Sequence, residues 1–205
     1  MKITNEDNME LMARYSDNHF DLAIVDPPYG IGASEMTMGA GKKKWKKGKK
    51  WDNEIPSAEY FNELKRVSKN QIIWGGNYFN LPIQRGWIFW DKDIRDGLSF
   101  SDGELAWTNF DRVLKMCFIP YSGFRGADNG GKIHPTQKPV KLYEWLLMNY
   151  AKEGDKILDT HLGSGSIALA CHNLGYDLTA CELDKEYYNA AMKRIENHKK
   201  QLRMF

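Results

Sequence analysis

Ile157-Leu158-Asp159-Thr160-His161-Leu162-Gly163-Ser164-Gly165-Ser166 is the stretch that decides the fold of this chain. An apolar run that ends in a carboxylate, then a turn with two glycines, then the start of an apolar helix is typical of a strand–turn–helix unit. Glu182 ends the next predicted strand, at the spacing of about 20 residues seen in doubly wound sheets. We therefore predict a ligand site at the carboxyl ends of these two strands.

The rest of the chain alternates between predicted strands and helices. Strands are predicted at 2–5, 21–26, 71–74, 87–90, 104–108, 114–118, 156–159 and 177–182, and helices from about residues 7, 57, 140, 166 and 184. We expect 104–108 and 114–118 to form a strand pair. Alternation of this kind indicates an α/β fold, with a doubly wound, mostly parallel sheet and helices on both faces. Residues 1–205 are expected to form a single domain.

Composition is that of an ordinary globular protein. The chain has 205 residues, of which 42% are hydrophobic and 27% charged. It contains no apolar stretch of the roughly 18 residues that span a membrane, and its N-terminal sequence lacks the apolar core of a signal peptide, so we expect a cytoplasmic protein. Cys117, Cys171 and Cys181 lack metal-ligand spacing and are expected to be reduced and mostly buried, with no metal site.

A second motif, Asp26-Pro27-Pro28-Tyr29, closes the apolar run 22–25. The two prolines hold the carbonyls of Asp26 and Pro27 in an extended turn, outside a strand ladder. These acceptors could grip the hydrogens of an exocyclic base amine, whose lone pair is otherwise delocalised, while Tyr29 stacks on a flipped base. A proline turn beside a buried tyrosine is the purely structural alternative.

The sequence of the glycine turn at 163–165 differs from that of a dinucleotide-binding site. It lacks the third glycine that lies close to a pyrophosphate, which disfavours a nicotinamide oxidoreductase. Asp159, directly before the turn, would repel a phosphate and suits a ligand with a positive amino group, such as the methionine part of S-adenosylmethionine. The carboxylate of Glu182 suits ribose hydroxyls.

Three segments in this order, 26–29, His134-Pro135-Thr136-Gln137-Lys138-Pro139, and 159–166 followed by Glu182, resemble the amino-methylating DNA methyltransferases. The chain is similar to their permuted group, in which the catalytic motif precedes the cofactor motif, and this resemblance implies a doubly wound sheet of the seven-stranded type. The resemblance implies that Asp26, Pro27, Pro28 and Tyr29 are catalytic. It also implies a cofactor site for S-adenosyl-L-methionine formed by Asp7, Asp26, His134, Thr136, Gln137, Lys138, Asp159, His161, Gly163, Ser164, Gly165, Ser166 and Glu182.

Finer roles follow from the same resemblance. Thr136, Gln137 and Lys138 would lie at the methionine end of the cofactor and Glu182 at its ribose, while Asp7 would lie near the adenine, although Glu6 is adjacent. His161 is expected to be a neutral ring that packs on the methionine moiety.

Net charge is only +2, but seven lysines are concentrated in a loop at about 33–52. We predict that this loop is mobile when free and grips the phosphates of double-stranded DNA, unless it is merely a solvated charge run. Its DNA-binding candidates are Lys42, Lys43, Lys44, Lys46, Lys47, Lys49 and Lys50. A short target-recognition loop at about 119–133 adds Arg125, Asn129 and Lys132 as candidates.

The favoured hypothesis is an enzyme that transfers a methyl group from S-adenosylmethionine to adenine N6 in DNA by base flipping. Cytosine N4 is the nearest alternative, because the geometry is the same; family usage of aspartate in the first motif position favours adenine. RNA as substrate, a protein glutamine amide and an inactive DNA-binding module with this fold remain open alternatives. A homodimer is plausible, and the recognition sequence and any restriction partner stay undetermined.

Overall fold

The computed structural model describes residues 1–32, 52–94, 101–121 and 132–200. These contain eight strands: β1 Lys2–Thr4, β2 Phe20–Val25, β3 Ser68–Trp74, β4 Trp87–Asp91, β5 Gly103–Thr108, β6 Lys115–Phe118, β7 Lys156–Asp159 and β8 Asp177–Cys181. The helices are α1 Asn8–Ala13, α2 Ala58–Val67, α3 Val140–Tyr150, α4 Ser166–Leu174 and α5 Lys185–Lys200. Each predicted element is present within a few residues of its expected bounds.

All eight strands form one sheet in the order β1-β8-β7-β2-β3-β5-β4-β6. Five of the pairings are parallel, and the two that involve β5 are antiparallel. The predicted mostly parallel α/β fold is confirmed, with one edge strand more than the seven-stranded type.

The expected pairing of 104–108 with 114–118 is wrong. Strand β5 lies between β3 and β4, and β6 pairs with β4 at the edge of the sheet. The side chains explain this order, because Ala106 and Trp107 of β5 are buried whereas Met116 and Phe118 of β6 are more than half exposed. A strand with buried side chains fits the sheet interior, and one with exposed side chains fits an edge.

Helices cover both faces of the sheet. Successive residues of a strand point to opposite faces, so β2 contributes Leu22 and Ile24 to one apolar cluster and Ala23 and Val25 to another. The first cluster contains residues of α3, α4 and α5, and the second contains residues of α1 and α2. The sheet is therefore the central layer of three.

Other sequence-based expectations concern the cysteines, membrane-spanning helices and metal sites. All three cysteines are free and buried, as predicted. Within the described ranges, no helix is long and apolar enough to cross a membrane. The same residues contain no group of three or more histidine, cysteine, aspartate or glutamate side chains that could hold a metal ion.

Candidate active site

Three parallel neighbours, β8, β7 and β2, end at the same edge of the sheet. Ala23 of β2 is in register with Leu158 of β7, and Asp159 with Ala180 of β8. The carboxyl ends of parallel strands are the usual ligand-binding edge of an open α/β sheet. Asp26 and Glu182, which directly follow β2 and β8, are thus brought to one side of the molecule, as the sequence predicts.

The turn after β2 is fixed by a residue that the sequence analysis did not identify. The buried carboxylate of Asp52 accepts hydrogen bonds from the backbone N–H groups of Tyr29, at 2.6 Å, and Gly30, at 3.1 Å. The carbonyl of Asp52 also accepts from the N–H of Gly32 at 3.0 Å. These bonds hold the catalytic-motif candidate in place from the far end of the lysine-rich segment.

A cluster of charged side chains surrounds Asp26. The ammonium group of Lys138 donates to Asp26 Oδ2 at 2.6 Å, to Glu104 Oε2 at 2.9 Å and to the hydroxyl oxygen of Tyr29 at 3.2 Å. Tyr29 in turn donates to Asp26 Oδ1 at 2.7 Å, and Lys92 pairs with Glu104 Oε1 at 2.6 Å. We call these five side chains the Lys138 cluster; two ammonium groups and two carboxylates make it electrically neutral.

Burial and charge act together on the pKa values of this cluster. Burial raises the pKa of Asp26, which Lys138 opposes and Glu104 reinforces. Burial also raises the pKa of Glu104, but the ammonium groups of Lys138 and Lys92 outweigh it and lower that pKa to about 2. Burial lowers the pKa of Lys138, and the two carboxylates more than restore it, so its pKa is raised. Lys138 and Glu104 are accordingly charged near neutral pH.

The ring of Tyr29 already has an aromatic neighbour. It stacks on Tyr78 with ring centroids 5.0 Å apart and planes 13° from parallel. Gly75, which has φ of +67°, lies against the same ring so closely that an added Cβ would be 2.2 Å from it. Tyr78 is 44% exposed. One face of the Tyr29 ring is therefore covered by Tyr78.

A cavity of about 600 Å³ opens beside Asp26, a size typical of small-molecule sites. It is lined by residues from both sequence motifs and from the ends of β7 and β8. Of the predicted cofactor residues, the lining includes Asp26, His134, Thr136, Gln137, Lys138, His161, Gly163, Ser164 and Glu182.

Glu182 is held in place by two backbone N–H groups. Gly163, in the left-handed region with φ of +51°, donates to Glu182 Oε2 at 2.8 Å, and Asp184 donates to Oε1 at 2.9 Å. These two bonds fix the orientation of the carboxylate, which lines the cavity. Such an acceptor at this position suits the hydroxyl groups of a ribose.

The imidazole of His161 is neutral, as predicted. Burial lowers its pKa to about 4. The amide nitrogen of Asn8, 3.2 Å away, can only donate, so Nε2 accepts and Nδ1 carries the proton that faces the Thr160 hydroxyl at 2.9 Å. The ring is also packed edge to face on Tyr60. His161 therefore contributes a fixed, uncharged surface to the cavity.

The segment around His134 supplies a polar group with unused hydrogen-bonding capacity. Gln137 is 3% exposed, and its Oε1 accepts from the N–H of Ile133 at 3.0 Å. Its Nε2 has no hydrogen-bond partner among the described residues. Because a buried unsatisfied donor is unfavourable, this amide is suited to a polar ligand in the cavity.

Four predicted cofactor residues do not line the cavity. The side chain of Asp7 caps α1 by accepting from the N–H of Met9, and its neighbour Glu6 lines the cavity instead. Asp159 is 2% exposed and accepts from the N–H of His161. Gly165 precedes α4 with φ of +74°, and Ser166 is hydrogen-bonded to Ser164. These four residues shape the glycine turn and the starts of α1 and α4 rather than the cavity surface.

Most predicted DNA contacts fall outside the described residues. These are Lys42, Lys43, Lys44, Lys46, Lys47, Lys49, Lys50, Arg125 and Asn129. Lys132 is described and only partly exposed, and burial together with the Lys92 ammonium lowers its pKa. Lys132 is therefore next to the Lys138 cluster.

Comparison with known proteins finds similarity to DNA methyltransferases. Residues 106–193 match the family model of the N6/N4 methyltransferases, described as DNA methylase. The chain is 24% identical to the Type II methyltransferase M.HpaI of Haemophilus parainfluenzae, over 92% of this chain and 72% of that protein. It is also 24% identical to the Type II methyltransferase M2.DpnII of Streptococcus pneumoniae, over 96% of this chain and 90% of that protein.

Solved structures share the fold. The complex of M1.HpyAVI with SAM superposes with a TM-score of 0.65 at 19% identity, covering 94% of this chain and 98% of that one. The cytosine-N4-specific PvuII DNA methyltransferase has a TM-score of 0.60 at 14% identity, covering 96% and 90%. These similarities confirm the resemblance to the amino-methylating (N6-adenine/N4-cytosine) DNA methyltransferases that the sequence motifs indicate.

Proposed function

We propose that this protein is an S-adenosylmethionine-dependent DNA methyltransferase that acts on adenine N6. The observation that carries the proposal is the position of Asp26. It directly follows β2 and lines the cavity that Gly163 and Glu182 also line. An acceptor for an amine and a site for a nucleoside thus share one cavity.

The cavity fits S-adenosylmethionine, which supplies a methyl group on a positively charged sulfur. Glu182 would accept from the ribose hydroxyls, and the backbone at Gly163 permits close approach. The unpaired Nε2 of Gln137 would donate to the methionine carboxylate, and neutral His161 would pack on the apolar part of the ligand.

The residues of the motif would act on the target amine. Asp26 and the carbonyl of Pro27 would accept its two hydrogens, which favours the geometry in which the nitrogen lone pair can attack. Alignment of this kind accounts for a large part of the barrier reduction in bimolecular transfers. Aspartate in the first motif position is the feature that favours adenine over cytosine.

DNA contacts and assembly remain part of the proposal. The lysine-rich segment would bind phosphates. Its flanking residues Gly32 and Asp52 are joined by a backbone hydrogen bond, and the Asp52 side chain accepts from the N–H of Tyr29. These bonds hold Gly32 and Asp52, which flank the lysine-rich segment, next to the candidate catalytic motif. The Type II relatives suggest a role in restriction–modification, and a homodimer stays a prediction.

The proposal is tested by incubating the protein with duplex DNA and S-adenosylmethionine labelled in the methyl group, followed by digestion of the DNA to nucleosides. We expect labelled N6-methyldeoxyadenosine. Labelled N4-methyldeoxycytidine would keep the reaction and overturn the choice of base. Cofactor binding without transfer to DNA would contradict the activity and would favour an RNA substrate, a protein substrate or an inactive binding module.

A further inference from the structure

Glu104 lies in none of the motifs that point to the activity, but it contacts the site directly. It is the second residue of β5, which runs antiparallel to β3. The amino end of an antiparallel strand lies at the carboxyl ends of its parallel neighbours. Lys92 directly follows β4, which is also antiparallel to β5, so it lies at the same edge.

The contacts of Lys138 show what Glu104 does there. An ammonium group has three donors, and those of Lys138 are directed at Asp26, Glu104 and Tyr29. The side chain of Lys138 is 3% exposed, so water does not replace a lost partner. Without the Glu104 carboxylate, Lys138 would have one carboxylate partner and the cluster would carry a net positive charge.

We infer that Glu104 is a positioning residue for methyl transfer, which holds the Lys138 ammonium between two carboxylates and thereby fixes the orientation of Asp26 and Tyr29. The inference rests on the proposed function and deepens it, because it assigns to the Asp26 site a residue that the motifs do not include. Lys92 supports Glu104 from the opposite side, through Oε1.

The competing interpretation is an ion pair that only stabilises the fold. The two interpretations differ in their effect on pH dependence. The negative charge of Glu104 raises the pKa of both Asp26 and Lys138. Removing that charge at constant shape should therefore move both titrations to lower pH and change the rate and the pH–rate profile of the folded protein, whereas an ion pair that only stabilises the fold would leave that rate and profile unchanged.

The test compares wild type with Glu104→Gln, which keeps the shape, and Glu104→Asp, which keeps the charge. Single-turnover methyl transfer to duplex DNA is measured across the pH range in which each protein stays folded. We expect Glu104→Gln to lower the rate about 10- to 100-fold, with a KM for S-adenosylmethionine within about twofold of wild type. Both limbs of the pH–rate profile should move to lower pH, and Glu104→Asp should restore the wild-type limbs.

Asp111→Asn is the matched control. Asp111 pairs with Arg85 at the surface, where its side chain is 88% exposed. The same change from carboxylate to amide should leave the rate and both limbs unchanged. The other charged or titratable groups around Lys138 and Asp26, namely Tyr29, Lys92, Lys132, Tyr143 and Asp159, are the same in all three variants.

A second readout does not need activity. Carbon NMR of the Asp26 carboxyl, assigned with an Asp26→Asn variant, should show titration at lower pH in Glu104→Gln than in wild type. Unchanged limbs and an unchanged Asp26 titration would overturn the inference while leaving the proposed function intact. If wild type transfers no methyl group to DNA, the proposed function itself fails, and an acid shift of Asp26 alone would then not support a role in methyl transfer.

Discussion

At the residue scale, one buried ammonium group connects the parts of the site. Lys138 joins the motif around His134 to Asp26 and Tyr29 of the other motif, more than 100 residues away in the chain. The family resemblance implied that Lys138 lies at the methionine end of the cofactor. It does line the cavity, but its charged group is directed at Asp26 of the candidate catalytic motif and at Glu104. Lys138 therefore belongs to both halves of the site.

Replacement of Lys138 by methionine should destabilise the protein. It would leave Asp26 and Glu104 as neighbouring buried carboxylates, and removal of one partner of a buried ion pair costs about 3–5 kcal/mol. Urea unfolding measures the difference. Lys69→Met is the control, since Lys69 pairs with Asp21 but is 54% exposed, and it should cost less than about 1 kcal/mol. Equal losses in the two variants would contradict the importance of the Lys138 cluster.

Gly75→Ala should displace the Tyr29 ring. The added Cβ would be 2.2 Å from that ring, in a backbone conformation with φ of +67°. Gly154→Ala is a matched control, because Gly154 has φ of +85° and open space around it. We expect the Gly75 variant to lose about 1–3 kcal/mol more in unfolding free energy than the control, and to transfer methyl groups more slowly. Identical stability and activity would show that the ring is free to move.

Asp159 should make stability depend on pH. Burial raises its pKa in the folded protein to about 8, far above the value of about 3.9 expected when the chain is unfolded. A carboxyl that prefers to be protonated in the folded state stabilises it fully below the unfolded pKa, and this contribution is lost as the pH rises towards 8.

The Asp159→Asn variant cannot ionise and tests this directly. Between pH 4 and pH 8, the unfolding free energy of wild type should fall by roughly 2–5 kcal/mol more than that of Asp159→Asn. This range follows because a shift of one pKa unit corresponds to about 1.4 kcal/mol. Chemical denaturation at a series of pH values gives both curves. Parallel curves would mean that Asp159 is ionised in the folded protein as well.

At the scale of elements, the local sequence was sufficient to predict the helices and strands. It was not sufficient to predict which strands are neighbours in the sheet. The helices expected from about residues 7 and 184 begin where capping bonds form: Asp7 accepts from the N–H of Met9, and Asp184 accepts from the N–H groups of Glu186 and Tyr187. The position of β5 depends instead on which long-range pairing buries Ala106 and Trp107, and this is not visible within the segment itself. For the same reason Glu104 and Lys92, which reach the site through this pairing, could not be predicted from motif spacing.

Residues at strand ends were predicted more successfully. Parallel strands bring their carboxyl ends together by geometry, so the positions of Asp26 and Glu182 follow from the sequence pattern alone. Asp7 was predicted at the cavity, but the capping bond to Met9 holds its side chain, while Glu6 lines the cavity. Which of two adjacent carboxylates faces a ligand depends on such local bonds.

Substitutions at the two ends of β8 test which end of this strand binds the cofactor. Glu182→Gln should weaken S-adenosylmethionine binding about 10- to 100-fold, because a hydrogen bond to a charged group contributes about 1.5–3 kcal/mol. Asp177→Asn, at the opposite end of the strand and paired with the chain's amino terminus, should leave the affinity unchanged. Titration calorimetry measures both. Equal affinities for wild type and Glu182→Gln would remove Glu182 from the cofactor site.

At the scale of the whole molecule, one sheet brings together motifs from the two ends of the chain. The candidate catalytic motif follows β2 and the glycine turn follows β7, and these two strands are direct neighbours in the sheet. The order of the motifs in the sequence is therefore immaterial to the site, because the sheet determines which strand ends are adjacent. A transferable group held at β7 and β8 would thus face an acceptor held at β2.

The measurement that tests this account most directly is methyl transfer to duplex DNA by wild type and by Asp26→Ala, with cofactor affinity measured for both. The account predicts that S-adenosylmethionine binds both proteins with similar affinity, while the variant transfers methyl groups at least about 100-fold more slowly. Asp177→Ala, which changes an aspartate far from the cavity, should match wild type. Transfer by Asp26→Ala at the wild-type rate would contradict the central claim that Asp26 acts on the target amine.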